Sequence, residues 1–102
     1  MTLMKVGQWV HANIPSVTAT TGTSSASLTS NTAINAAFRP AAVQFCPCFV
    51  NNNAAGVTSP MGLIRAETNG TFTIRRDSSA AAFTDGASAG LSVATNFVYF
   101  VG

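Results

Sequence analysis

Around Asn69-Gly70 the chain repeats with a period of two on both sides: Ile64, Ala66, Phe72 and Ile74 are apolar, while Arg65, Glu67, Thr71 and Thr73 are polar. A helix would scatter those two sets around a cylinder, whereas a strand collects each on its own face. The segment is therefore a hairpin, and its register decides which side chains meet. A two-residue turn would set Arg65 opposite Ile74 and Ile64 opposite Arg75, mixing charge with core on each face. A three-residue loop, with Thr68 and Asn69 in a type I turn and Gly70 in the left-handed bulge position, pairs Ala66 with Phe72 and Ile64 with Ile74. That register leaves one clean apolar face. On the other face Glu67 meets Thr71 and Arg65 meets Thr73, so this side can meet water or a partner.

The rest of the chain carries no sustained helical periodicity and is punctuated by Gly and Pro, so short strands joined by turns are predicted throughout one domain spanning residues 1–102. The first strand is expected from Val6 to Ile14, with Val6, Gln8, Val10, Ala12 and Ile14 on one face and Trp9 and His11 on the other, ended by Pro15. A second occupies Ser25 to Thr29, turning Ala26 and Leu28 inward. Ser30 to Pro40 reads as a loop with room for one helical turn capped by Asn31. Ala42 to Val50 is apolar on both sides, as in a strand buried on both faces. Pro47 within it has no N–H to donate, which puts it at an edge, at a bulge or where a neighbouring strand has diverged. Asn51 to Asn53 then open a loop. The last strand, Leu91 to Val101, ends apolar on both faces and is expected inside the sheet or at a subunit contact.

Charge narrows the functional classes. Apolar residues make up 47% of the chain and mean hydropathy is +0.32, which excludes disorder, yet only 8% of residues are charged: Lys5, Arg39, Arg65, Arg75, Arg76, Glu67, Asp77 and Asp85. Uncharged Ser, Thr and Asn must supply the wet surface, and the apolar excess is expected to meet another copy of the chain. A net charge of +2, scattered along the sequence, provides no basic stripe for nucleic acid. No run of 18 apolar residues marks a membrane span, and the N-terminus lacks the parts of a signal peptide. The short leader ahead of the first strand pattern is expected either of a fragment of a longer chain or of a small standalone gene. Cys46 and Cys48, separated by Pro47, are expected as reduced buried thiols, because a tetrahedral metal site would need ligands beyond the single His11.

Three features resemble the C-terminal domains of tail-fibre, baseplate and minor structural proteins of tailed bacteriophages. Phe38-Arg39-Pro40 precedes an apolar strand and an Asn-rich turn through Val43 to Asn53, with Ala37 where that group usually has Gly. Gly62 to Ile74 is similar to the group's glycine, strand, Asn-Gly turn and second strand. Asn96 to Val101, with Phe97 and Tyr99, is similar to its closing strand. The resemblance covers roughly residues 28 to 102. It implies an antiparallel β-sandwich or jelly-roll-like head that forms a homotrimer, sits on a virion appendage and touches a host-surface polysaccharide or a teichoic-acid-like glycan. It also implies no cofactor.

Catalysis has little to work with. Glu67, Asp77 and Asp85 stand in separate local contexts rather than as a positioned carboxylate pair, and no nucleophile elbow or phosphate loop is present. Saccharide recognition uses aromatic faces and planar polar groups, which makes Trp9, His11, Arg75, Arg76, Asp77 and Asn52 the candidate ligand-binding residues. For Trp9 the competing role is core or inter-subunit packing, and for Arg76 and Asp77 it is a solvated pair. Arg39 is expected to support its loop by bonding carbonyls. Two other functions compete with adhesion: a purely structural trimerisation cap or capsid decoration module, and a polysaccharide-degrading tip.

Overall fold

A computed structural model of the chain describes residues 1–22, 27–53, 55–77 and 81–102. Nine strands and one 3-10 turn follow in order: β1 (Thr2–Val6), β2 (Trp9–Ile14), β3 (Val17–Thr20), β4 (Ser27–Thr29), the 3-10 turn Ala36–Phe38, β5 (Gln44–Asn52), β6 (Ala55–Ala66), β7 (Phe72–Arg75), β8 (Ser88–Leu91) and β9 (Thr95–Phe100). They build two antiparallel sheets, a three-stranded β1-β2-β9 and a six-stranded β3-β8-β5-β6-β7-β4. The chain is thus all-β, with a sandwich-like arrangement around one core.

The hairpin of β6 and β7 has the register the alternation demands: Ala66 pairs with Phe72, Arg65 with Thr73 and Ile64 with Ile74. The Glu67 N–H donates to the Thr71 carbonyl at 2.9 Å, and Gly70 takes φ 90°, the left-handed bulge position. Ile64, Ala66, Phe72 and Ile74 are all buried. Thr73, expected on a face open to water, is also buried; it lies between Arg65 of β6 and Thr29 of β4, which cover a short side chain.

Several expected boundaries move. The first strand is in fact a hairpin, since Val6 pairs with Trp9 across the two-residue turn Gly7-Gln8. A turn of two residues reverses face parity, so Val6 joins Trp9 on the outer side rather than Val10 on the inner one. Beyond Pro15 the chain re-enters the second sheet as β3, an element the sequence pattern did not announce. Of the expected strand Ser25 to Thr29 only Ser27–Thr29 appears, while Ser25 and Ala26 lie outside the described residues. Leu28 does pack against the core. The turn before Pro40 is capped by Asn35, not Asn31: the Asn35 side chain accepts from the Ala37 N–H at 2.9 Å. The Asn triplet continues β5 through Asn52, and only Asn53, at φ 54°, leaves it. The closing strand is broken at Ser92 and Val93, which places Leu91 in one sheet and Thr95–Phe100 in the other.

The expectation that Ala42 to Val50 is buried on both faces does not hold for the single chain. Cys48 and Val50 point into the core, whereas Phe45 and Phe49 remain exposed. Pro47 sits where β5 has only β6 beside it, because β8 joins from Val50 onward. The missing N–H therefore costs no ladder bond there. Likewise β9 lies at the end of its sheet and not inside it. Its outer edge is held by a side chain instead: the Gln44 amide accepts from the Phe100 N–H at 2.9 Å and donates to the Phe100 carbonyl. Gln44 thereby joins the two sheets.

The core is one cluster drawn from both sheets, with Tyr99, Phe83, Ile64, Leu91, Val10 and Val50 as its largest fully buried members. Phe72, Phe97 and Tyr99 meet edge to face, at centroid distances of 5.4 to 6.5 Å. An apolar cavity of about 420 Å³ is lined by Val17 and Ala19 of β3 and by Leu28 and Thr29 of β4. Since β3 and β4 are the two ends of the six-stranded sheet, the sheet curls until its ends face a common space without pairing.

Candidate interaction face

The outer side of the β1-β2-β9 sheet is built by two cross-strand ladders. Val6 pairs with Trp9 and Trp9 with Phe100; Met4 pairs with His11 and His11 with Val98. Cross-strand partners share a face, so these six side chains form adjacent apolar rungs with one imidazole among them. Trp9 and Phe100 contact each other with ring centroids 5.1 Å apart. A third rung is polar: Thr2, Asn13 and Asn96, where the Asn13 amide donates to Asn96 Oδ1 at 2.9 Å. Lys5 belongs to the opposite side of β1 and reaches the Ala37 carbonyl at 3.2 Å.

The other predicted site residues lie elsewhere and are occupied with shaping a loop. Asn52, at the end of β5, accepts from the Thr84 N–H at 2.7 Å and donates to the Thr84 hydroxyl at 3.1 Å. Arg76 donates to the Ala82 carbonyl at 3.1 Å. Asp77 accepts from the Ala81 N–H at 3.1 Å and is buried, so it is not the solvated group of the competing reading. Arg75 ends β7, half-buried, opposite Leu63. Asn52, Arg76 and Asp77 thus converge on residues 81–84, whereas Trp9 and His11 stand on the other sheet. The Ser78-Ser79 segment that follows Asp77 in the sequence lies outside the described residues.

Sequence reasoning missed three clamps. Thr21, nearly fully buried, accepts from the Ala87 N–H at 3.0 Å and fixes the far side of the same loop. Gln44 bridges the sheets. The Tyr99 hydroxyl donates to the Phe38 carbonyl at 2.7 Å. Together with Arg39 Nε donating to the Ile34 carbonyl at 2.9 Å, this makes Phe38-Arg39-Pro40 a structural clasp, with Arg39 in its expected supporting role. A bonded side chain facing a carbonyl of a distant loop leaves no periodic trace in a sequence, which is why these residues gave no signal.

Both cysteines are free; Cys46 is half-buried and Cys48 buried. Burial, reinforced by the neighbouring Cys46, pushes the Cys48 thiol from 9.0 up to about 12, and burial likewise pushes Tyr99 from 10.0 up to about 12. The thiolate is the nucleophile, so the folded protein should react with iodoacetamide far more slowly than the unfolded chain. The same shifts predict alkaline weakening. Above about pH 9 the unfolded chain loses protons that the folded one keeps, so stability falls as pH rises toward about 12. Urea midpoints measured across that interval check it: a flat profile would count against the burial of these groups.

Among the described residues no group of three or more His, Cys, Asp or Glu side chains is placed to hold a metal ion. Glu67 pairs with Arg65 at 3.2 Å, and Arg65 also lies 5.5 Å from the centre of the Phe45 ring. No helix among the described residues is long and apolar enough to cross a membrane. Comparison of the chain with models of protein families and with curated proteins finds no match.

Proposed function

We propose that this domain is a non-catalytic assembly and recognition module: a homotrimeric tip of a bacteriophage fibre or baseplate appendage that binds a host cell-surface glycan. One observation carries the assembly part. Outside a complete core, eleven large apolar side chains among the described residues remain 39% to 60% exposed, on a chain with only eight charged groups. Burial of apolar surface is favourable at about 25 cal/mol per Å², so a surface of this kind is driven toward association. The glycan part rests on the resemblance of three segments to phage appendage domains and on the physics of linked weak sites, in which three copies gain avidity without a new contact. In this reading the end carrying Asn52, Arg75 and Arg76, with Asp77 buried beneath it, is the surface left for the sugar. Virion location and the absence of a cofactor belong to the same proposal.

Light scattering of the purified chain, followed by a glycan array, tests it. The expected result is a mass of three subunits and selective retention of a related group of cell-wall or capsular saccharides. A trimer that returns background on every sugar overturns the adhesin reading in favour of a structural cap. A single-subunit mass at high concentration overturns the whole proposal. Release of new reducing ends from a polysaccharide would replace it with a degrading enzyme.

A further inference from the structure

Resting on the reading of this chain as a self-assembling module, we infer that the outer face of the β1-β2-β9 sheet is the surface on which a second copy of the chain docks, with Trp9 in the middle of its most apolar rung. The face has the composition of an interface core. Met4, Val6, Trp9, Val98 and Phe100 are 60%, 57%, 51%, 50% and 41% exposed, and no Lys, Arg, Asp or Glu stands on its rungs. Aromatic residues and Met are the types enriched where proteins meet, charged residues are depleted there, and contacts between identical subunits are the most apolar of all.

Area leads to the same occupant. About half of each of five large side chains amounts to roughly 400 to 500 Å² of apolar surface, near the upper end of what a lone monomer leaves open. A stable contact takes about 800 Å² from each partner. The flanking polar rung of Thr2, Asn13 and Asn96 and the free edge of β1 supply the remainder as a hydrogen-bonding rim. A foreign partner is ordinarily selected through complementary charge, and this face offers none to read. A copy of the same chain needs none, since apolar rungs cover apolar rungs.

Trp9 is the sole tryptophan, so its emission reports on this face alone. The experiment is serial dilution of the intact chain, recording mass by light scattering and Trp9 emission with acrylamide quenching, beside the variants Trp9→Ser and Val98→Glu. Far-UV circular dichroism verifies that each variant folds, and Val98→Glu retains the fluorophore. The expected result is an oligomer whose Trp9 emission is blue-shifted and protected, moving red as dilution separates the subunits. Each substitution should weaken association at least about 30-fold, as loss of a central contact does. An oligomer in which Trp9 stays fully quenchable, or which tolerates both substitutions, overturns this assignment and leaves self-assembly standing. A single subunit at every concentration overturns both. An emission shift that appears only when a saccharide is added assigns Trp9 to the sugar and likewise overturns the docking role.

Discussion

Replacing Tyr99 with Ala is expected to cost the fold about 4 to 6 kcal/mol. The ring is fully buried at the centre of an aromatic cluster, with Phe97 at 5.4 Å and Phe72 at 6.0 Å, so truncation leaves a cavity flanked by rigid rings that cannot collapse into it. Large aromatic-to-alanine changes in cores cost about 3 to 5 kcal/mol. The hydroxyl adds a second loss, because the Phe38 carbonyl that it holds at 2.7 Å is left without that donor, at about 1 kcal/mol. A domain of this size has about 5 to 15 kcal/mol in total, so the sum removes a large part of it. Urea unfolding separates the two contributions. Tyr99→Phe should lose only the smaller amount with the slope unchanged, while Tyr99→Ala should bring the midpoint down several times further. Equal losses in both variants would mean that the hydrogen bond, not the packing, dominates at this position.

Tyr99 also shows how far a sequence of this kind can be read. The burial of Phe97 and Tyr99 could not be told from that of Val98 and Phe100, because the end of that strand is apolar on both faces, whereas the hairpin of β6 and β7 was legible to the residue because loop length and alternation fix register jointly. What failed did so for a definite reason. Val6 to Ile14 and Leu91 to Val101 each keep a period of two through a reversal or a break, and periodicity is blind to a turn that preserves the pattern of apolar letters. Gly7-Gln8 and Ser92-Val93 are such places. The candidate site was half legible. Trp9 and His11 do share an outward face, because neighbours two apart on a strand must. Of the two roles open to Arg76 and Asp77, the solvated pair does not describe Asp77, which is buried and accepts from the Ala81 N–H, a contact between loop residues that no periodicity marks.

The apolar outer residues give the same lesson in reverse. Phe45 and Phe49 lie on a strand that reads from the sequence as buried on both faces, and Val98 and Phe100 on one that reads as inside the sheet or at a subunit contact; in the single chain all four stand exposed. Hydrophobic patterning registers every surface that a chain buries, whether against itself or against another copy, and does not distinguish the two. The mismatch between the pattern and the burial in one subunit is therefore the same physical statement as the proposed assembly.

The second large effect is expected at Gly90, where substitution by Ala should detach β3 from its sheet. A methyl group there would lie 2.0 Å from the Val17 carbonyl oxygen and 2.9 Å from its carbon, both backbone atoms of the strand paired with β8. No rotamer change relieves a clash between a Cβ and a backbone carbonyl, and Gly90 also holds φ 153°, outside what a residue with a Cβ readily adopts. The strand must move, and Val17 and Ala19 leave the lining of the apolar cavity as it does. Overpacking costs about 1 to 3 kcal/mol where neighbours can shift, so the loss here should reach or exceed the upper figure. Gly86→Ala is the control: it too sits at positive φ, 62°, but nothing lies within 4 Å of the added carbon, so only the conformational cost of about 1 to 2 kcal/mol applies. Hydrogen exchange localises the effect. Amides of β3 should lose protection in Gly90→Ala while those of β6 and β7 keep theirs, and uniform protection in both variants would mean that β3 does not pack as closely on Gly90 as the structure has it.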